Sequence, residues 1–174
     1  MGKSILITGG ARSGKSRIAE NRVAMQGASP IYIATAQAFD DEMEVRIKAH
    51  QDRRGSNWIT IQEPLDLLSA LQKTDGKGPR LVDCLTLWLS NMMHHERDWH
   101  AAAMAIAKAM PAQVSPVTFV TNEVGGGIVP DNPLARAFRD AAGEVNQIIA
   151  AAADEVYLAV AGYPLKVKPN ADAD

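Results

Sequence analysis

Residues 9–16 read Gly9-Gly10-Ala11-Arg12-Ser13-Gly14-Lys15-Ser16, directly behind the apolar run Ser4-Ile5-Leu6-Ile7-Thr8. Gly9, Gly14, Lys15 and Ser16 fit the spacing G-x-x-x-x-G-K-S, with a strand-like run before it and a helix-like run after it. Glycines at those places let backbone N–H groups converge on phosphate oxygens, and the helix N-terminus adds partial positive charge. Lys15 is placed to reach the β- and γ-phosphates of a nucleotide, and the Ser16 hydroxyl suits Mg²⁺. An ordinary glycine-rich turn is the competing reading, and the full pattern in this context disfavours it.

Outward from this loop, strand-like and helix-like segments alternate. Ser4–Thr8, Ile31–Thr35, Trp58–Ile61, Arg80–Cys84, Val117–Asn122 and Val156–Ala161 read as strands. Lys15–Gln26, Asp41–Arg54, Pro64–Leu71, Leu85–Met110 and Leu134–Ala152 carry helical periodicity. Strands apolar on both faces, separated by helices, imply a mainly parallel sheet with helices on both sides. The expectation is α/β: a single, RecA-like P-loop NTPase-type domain over residues 1–174, its tail frayed from about residue 168. Ligands of such sheets bind beyond the carboxyl ends of the strands. That rule puts Gly9–Ser16, Thr35 onward, Asp83 and Asn122 onward along one edge.

Composition narrows the partners. Eighteen Lys and Arg against twenty Asp and Glu give a net charge of −2, which supplies no basic excess for a nucleic-acid backbone. Cys84 is the sole cysteine, which excludes an internal disulfide and suits a reducing compartment. The N-terminus lacks a secretory h-region, and no apolar run approaches the roughly 20 residues of a membrane span. A cytoplasmic chain is expected.

Asp83 closes the strand Leu81-Val82-Asp83, where a carboxylate can hold Mg²⁺ directly or through water; a helix N-cap is the plainer role. No N-K-x-D guanine motif is present, as a GTPase switch would need, and the chain is short and acidic for a nucleic-acid motor. A small-molecule kinase or nucleotidyl transferase conflicts with nothing.

In the helical segment after the second strand, Arg46, His50 and Arg53 share one side, while Met43, Ile47 and His50 share another. A neutral imidazole can attack phosphorus, and flanking guanidinium groups can steady the phosphates. A plain surface histidine on a charged helix is the alternative. Longer blocks bear on the choice. Thr8–Ser16 (T-G-G-A-R-S-G-K-S), Y-I-A-T-A followed by D-D-E-M and R-I-x-x-H, T-N-E-V-G-x-G-I-V-P, and L-A-R-x-F-R-D-x-A-G-x-V-N-Q with A-A-A-D-E-V run from Ile5 to about Lys168. Over that span the chain resembles the bifunctional adenosylcobinamide kinase / adenosylcobinamide-phosphate guanylyltransferase family of cobalamin assembly.

The resemblance implies two reactions. ATP or GTP phosphorylates adenosylcobinamide; then GMP passes from GTP through a histidine, which falls on His50, to adenosylcobinamide phosphate, releasing pyrophosphate. It implies Lys15 as the second catalytic residue, stabilising phosphate charge. Nucleotide contacts are implied at Gly9, Gly10, Ala11, Arg12, Ser13, Gly14, Lys15 and Ser16, at Ala34, Thr35 and Ala36, at Gln51, Asp52, Arg53 and Arg54, and at Asp83. Mg²⁺ would sit at Ser16 and Asp83. The family commonly has Glu after W-x-T-x, where this chain has Gln62 followed by Glu63, so either residue could take that contact; Gln62 occupies the matching position. A homotrimer with sites between subunits is also implied. A plain small-molecule kinase and a nucleotide-dependent regulatory protein are the alternatives.

Three features are read without chemistry. His94, His95, Glu96, Asp98 and His100 lack the i, i+4 histidine pair of a zinc helix. Leu85, Trp88, Leu89 and Met92 have core or interface spacing. The Gly/Pro-rich stretch from Val124 to Pro133 is a connector or a loop that closes over substrate.

Overall fold

The computed structural model describes residues 1–27, 29–37, 54–55 and 57–169. Seven strands form one sheet: Ser4–Gly9 (β1), Ile31–Ala34 (β2), Ile59–Gln62 (β3), Arg80–Asp83 (β4), Val117–Val120 (β5), Glu155–Val160 (β6) and Tyr163–Lys168 (β7). Their order is β3-β2-β4-β5-β1-β6-β7. Every pairing from β3 through to β6 is parallel, and β7 alone runs antiparallel, against β6.

The period-two alternation of strand side chains builds two cores. Leu6, Ile31, Ile33, Val82, Val117, Phe119 and Val156 point to one face. There they meet Leu67–Thr74 (α2), Leu85–His94 (α3), Trp99–Ala109 (α4) and Pro133–Ala152 (α5). Ile5, Ile7, Tyr32, Ala34, Leu81 and Val120 point to the other, under Ile18, Ala19 and Val23 of Lys15–Ala24 (α1). The expected α/β architecture, mainly parallel with helices on both faces, is the one observed. The helical segment read over Asp41–Arg54 lies outside the described residues except for Arg54.

One local reading changes. The sheet does not end at Val156–Ala161: the chain turns at Ala161 and Gly162, both with positive φ, and Tyr163–Lys168 pairs back as β7. Pro164 and two lysines obscure the strand pattern, and an edge strand tolerates a proline. The helical stretches read from Leu85 to Met110 are α3 and α4, parted at His95–Asp98. Glu96 takes a φ of 51° there, and the Asp98 carboxylate caps α4 by accepting from Ala101 N at 2.9 Å. No helix among the described residues is long and apolar enough to cross a membrane.

Candidate active site at the carboxyl edge of the sheet

β1 lies between β5 and β6, so the loop leaving it emerges at the centre of the carboxyl edge. Gly14 is the N-cap of α1, with φ 90°, and a Cβ there would meet Gly162 Cα at 2.9 Å. Only glycine suits both demands. Gly9 is as tightly enclosed: a Cβ would stand 2.8 Å from the carbonyl oxygen of Ala159 in β6. Gly162 N donates to Ser13 O at 2.9 Å, so the β6–β7 turn braces the loop from outside the sheet. Ser13 Oγ is buried and has no hydrogen-bond partner among the described residues, and an anion cradled by the loop would satisfy it. Ala11 and Arg12 are exposed, and Arg12 has a φ of 54°.

Lys15 is 9% exposed and folds back so that Nζ donates to Gly10 O at 2.9 Å. Burial lowers its pKa from the ordinary lysine range, while the field of Cys84 and of Asp83 acts the other way. Ser16 follows in the first turn of α1, and Asp83 closes β4 two strands from β1. The donor set of Ser16 and Asp83, a hydroxyl and a carboxylate, is the hard-oxygen kind that Mg²⁺ accepts.

Asp83 is held from the neighbouring strand: Tyr32 OH donates to its Oδ2 at 3.1 Å. Burial first, then the Asp83 charge, push the Tyr32 phenol far above its ordinary range, so it stays a donor. The guanidinium of Arg54 lies 3.4 Å from the Tyr32 ring centroid, and Arg54 Nη1 is 3.9 Å from Glu20 Oε1. Arg54 is thus turned inward, its side chain 3% exposed. Burial drives the Cys84 thiol up to about 12, which leaves it inert as a nucleophile.

Thr35 is fully buried. Its Oγ1 donates to Cys84 O and accepts from Cys84 N, each at 2.8 Å, and Asn91 Nδ2 donates to Thr35 O at 2.8 Å. These bonds stitch the ends of β2 and β4 together and occupy the hydroxyl; of the flanking residues, Ala34 is buried and Ala36 half-buried. Gln62 pairs with Ala34 at the end of β3 and is exposed. The carboxylate of Glu63 is engaged locally, with Oε1 accepting from Leu65 N and Asp66 N at 3.1 and 2.7 Å. His50, Gln51, Asp52 and Arg53 lie outside the described residues.

The structure adds residues to which the sequence reading gave no role. Glu123 leaves β5 beside the phosphate loop, with its N–H donating to Gly9 O at 3.1 Å. Its Oε1 accepts from the Thr8 hydroxyl and from Asn146 Nδ2 at 3.4 Å, and Asn146 Oδ1 accepts from Thr121 Oγ1 at 2.7 Å. Thr86 Oγ1 receives Asn122 N at 2.8 Å and lies 3.3 Å from Thr121 Oγ1. The strand-edge rule pointed at this stretch; nothing local pointed to Asn146 on α5. His94, His95, Glu96, Asp98 and His100 are exposed, and no group of metal-ligating side chains occurs among the described residues.

A family model described as cobinamide kinase / cobinamide phosphate guanyltransferase matches residues 5–167. The bifunctional adenosylcobalamin biosynthesis protein CobU of Salmonella typhimurium is 44% identical over 186 residues, covering 94% of this chain and 99% of the relative. The corresponding CobP of Pseudomonas aeruginosa is 42% identical over 166 residues, covering 94% and 96%. Among solved structures, a prototypical ATPase from a bacterial type III secretion system superposes with TM-score 0.53 at 12% identity, covering 91% of this chain and 51% of that one; that likeness concerns the fold. Because the match runs from β1 into β7 and takes in the phosphate loop and the carboxyl edge, the chain belongs to the cobinamide kinase / cobinamide phosphate guanyltransferase family.

Proposed function

We propose that the protein phosphorylates the aminopropanol hydroxyl of adenosylcobinamide with ATP or GTP, and then joins GMP from GTP to the phosphate it has made. The observation that carries this reading is the enclosed glycine loop holding a buried lysine, with Asp83 on the same sheet edge. Lys15 is placed to stabilise charge on the transferring phosphates and, as a cation, serves as no base. Ser16 and Asp83 would hold Mg²⁺, which when bound neutralises polyphosphate charge.

In the second reaction His50 attacks the α-phosphorus of GTP and pyrophosphate leaves. The phosphate of the corrinoid then displaces the imidazole and takes GMP. The backbone at Ala34 and Ala36 and the residues Gln51–Arg54 are assigned to the nucleotide. Gln62 is favoured over Glu63 for the remaining contact, because the Glu63 carboxylate already caps its own loop. A carboxamide there can hydrogen-bond ribose or guanine and brings no charge. We also assign a cytoplasmic homotrimer formed from single-domain chains; the exposed apolar side chains Tyr163, Leu165 and Val167 of β7 are the surface that supports association.

Incubation with GTP labelled at the α-phosphate tests the reading. An acid-labile, alkali-stable protein adduct that vanishes in His50→Asn is the expected result. Cobinamide phosphorylation with no adduct would reduce the protein to a small-molecule kinase, and neither activity would leave a regulatory nucleotide binder.

A further inference from the structure

The kinase half of this reaction needs an acceptor for the proton of the attacking hydroxyl, and neither Lys15 nor the metal-holding Asp83 suits that task. Among the described residues, we propose that Glu123 is this catalytic residue; the inference rests on the kinase reading above. Among the described residues, Asp83, Glu63 and Glu123 are the carboxylates at the carboxyl ends of the parallel strands. Asp83 receives the Tyr32 hydroxyl and is assigned to the metal, and Glu63 is bound by the N–H groups of Leu65 and Asp66. Glu123 remains, and its surroundings orient it.

Its backbone is tied to Gly9, the first residue of the phosphate loop. One carboxylate oxygen is fixed by Thr8, the last residue before that loop, and by Asn146, itself held by Thr121. Oε2 makes no hydrogen bond to the described residues. Three side chains from β1, the end of β5 and α5 therefore aim one exposed carboxylate at the side of the phosphate loop. The chain then continues into the exposed segment containing Ile128 and Val129.

In the step, the substrate hydroxyl oxygen forms a bond to the γ-phosphorus. The bond from that phosphorus to the β–γ bridging oxygen breaks, and the nucleoside diphosphate leaves with the electron pair. The hydroxyl proton passes to Glu123 Oε2 and from there to solvent. Guanylyl transfer starts from a phosphate that carries no such proton, so it does not need Glu123.

The test separates the two half-reactions in Glu123→Gln. With adenosylcobinamide and ATP, kcat is expected to fall about 100-fold or more, the range for loss of a positioned general base. With adenosylcobinamide phosphate and GTP supplied directly, the second reaction should change by less than about threefold, which also certifies the fold. In Glu123→Ala, added formate should restore phosphorylation roughly tenfold, because a small carboxylate can replace a base and cannot replace a structural tie. Undiminished phosphorylation by Glu123→Gln, equal loss of both reactions, or failure of formate would each overturn the proposal. Absence of cobinamide phosphorylation by the unmodified protein would instead overturn the functional reading on which it rests.

Discussion

The Tyr32 hydroxyl donates to Asp83 Oδ2 at 3.1 Å while the ring of the same tyrosine stacks on the Arg54 guanidinium at 3.4 Å. One side chain thus joins the carboxylate assigned to the metal with the end of the segment that carries His50. Removing only the hydroxyl, in Tyr32→Phe, should raise the Mg²⁺ concentration for half-maximal phosphorylation several-fold. It should also cost about 1 kcal/mol of stability, or about 3 °C in Tm for a chain of this size. Mg²⁺ titration and thermal unfolding check both; an unchanged Mg²⁺ dependence would separate Tyr32 from the site.

Gly14→Ala places a Cβ where φ is 90° and where Gly162 Cα lies 2.9 Å away. The left-handed conformation alone costs about 1–2 kcal/mol, and the backbone contact forces the loop off the β6–β7 turn. Calorimetric titration with GTP should give an affinity at least about tenfold weaker. Native affinity in this variant would mean that the loop tolerates a displacement the packing does not suggest.

Arg80 is fully buried at the opposite end of the sheet. It donates to Leu71 O at 2.9 Å, Gln113 Oε1 at 2.6 Å and Ser115 O, and pairs with Asp75 Oδ1 at 3.1 Å. Arg80→Met strands those acceptors. A loss of about 3–5 kcal/mol is expected, seen as a Tm about 10 °C lower, with the adduct proposed for His50 still formed below the new transition.

Glu155 should contribute to the acid end of the stability profile. Burial would raise its pKa, but hydrogen bonds from Lys3, Lys166 and Tyr157 outweigh burial and hold it down at about 2, against an ordinary value of 4.5. A depressed carboxylate pKa contributes stability that is fully present above the unfolded value and is lost as pH falls through the folded one. Urea midpoints should therefore decline between about pH 5 and pH 2, and Glu155→Gln should flatten that decline. An identical slope in the variant would assign acid unfolding to other carboxylates, such as Asp75 and Asp154, whose pKa values are also lowered.

Particular residues mark how far the sequence could be read. The loop geometry at Gly9, Gly14, Lys15 and Ser16 was legible because consecutive residues between a strand and a helix set it. The buried strands were legible because apolar runs bounded by turns repeat locally, and with them the edge holding Asp83 and Asn122. Tyr32 read only as a core strand residue. The proposed preference for Gln62 over Glu63 rests on the Glu63 carboxylate turning back onto its own loop, which neither composition nor spacing records.

Chain order alone settled the α/β class, the position of the glycine-rich loop after the first strand and the sheet edge to which that loop belongs, since each follows from short-range periodicity. Folding decided that β5 and β6 flank β1 and that β7 closes the edge and braces the loop through Gly162. It also brought Thr8 to Glu123 across 115 positions and Tyr32 to Asp83 across 51. Those contacts depend on strand order, a property of how distant segments bury their apolar faces against one another, and no local stretch encodes it.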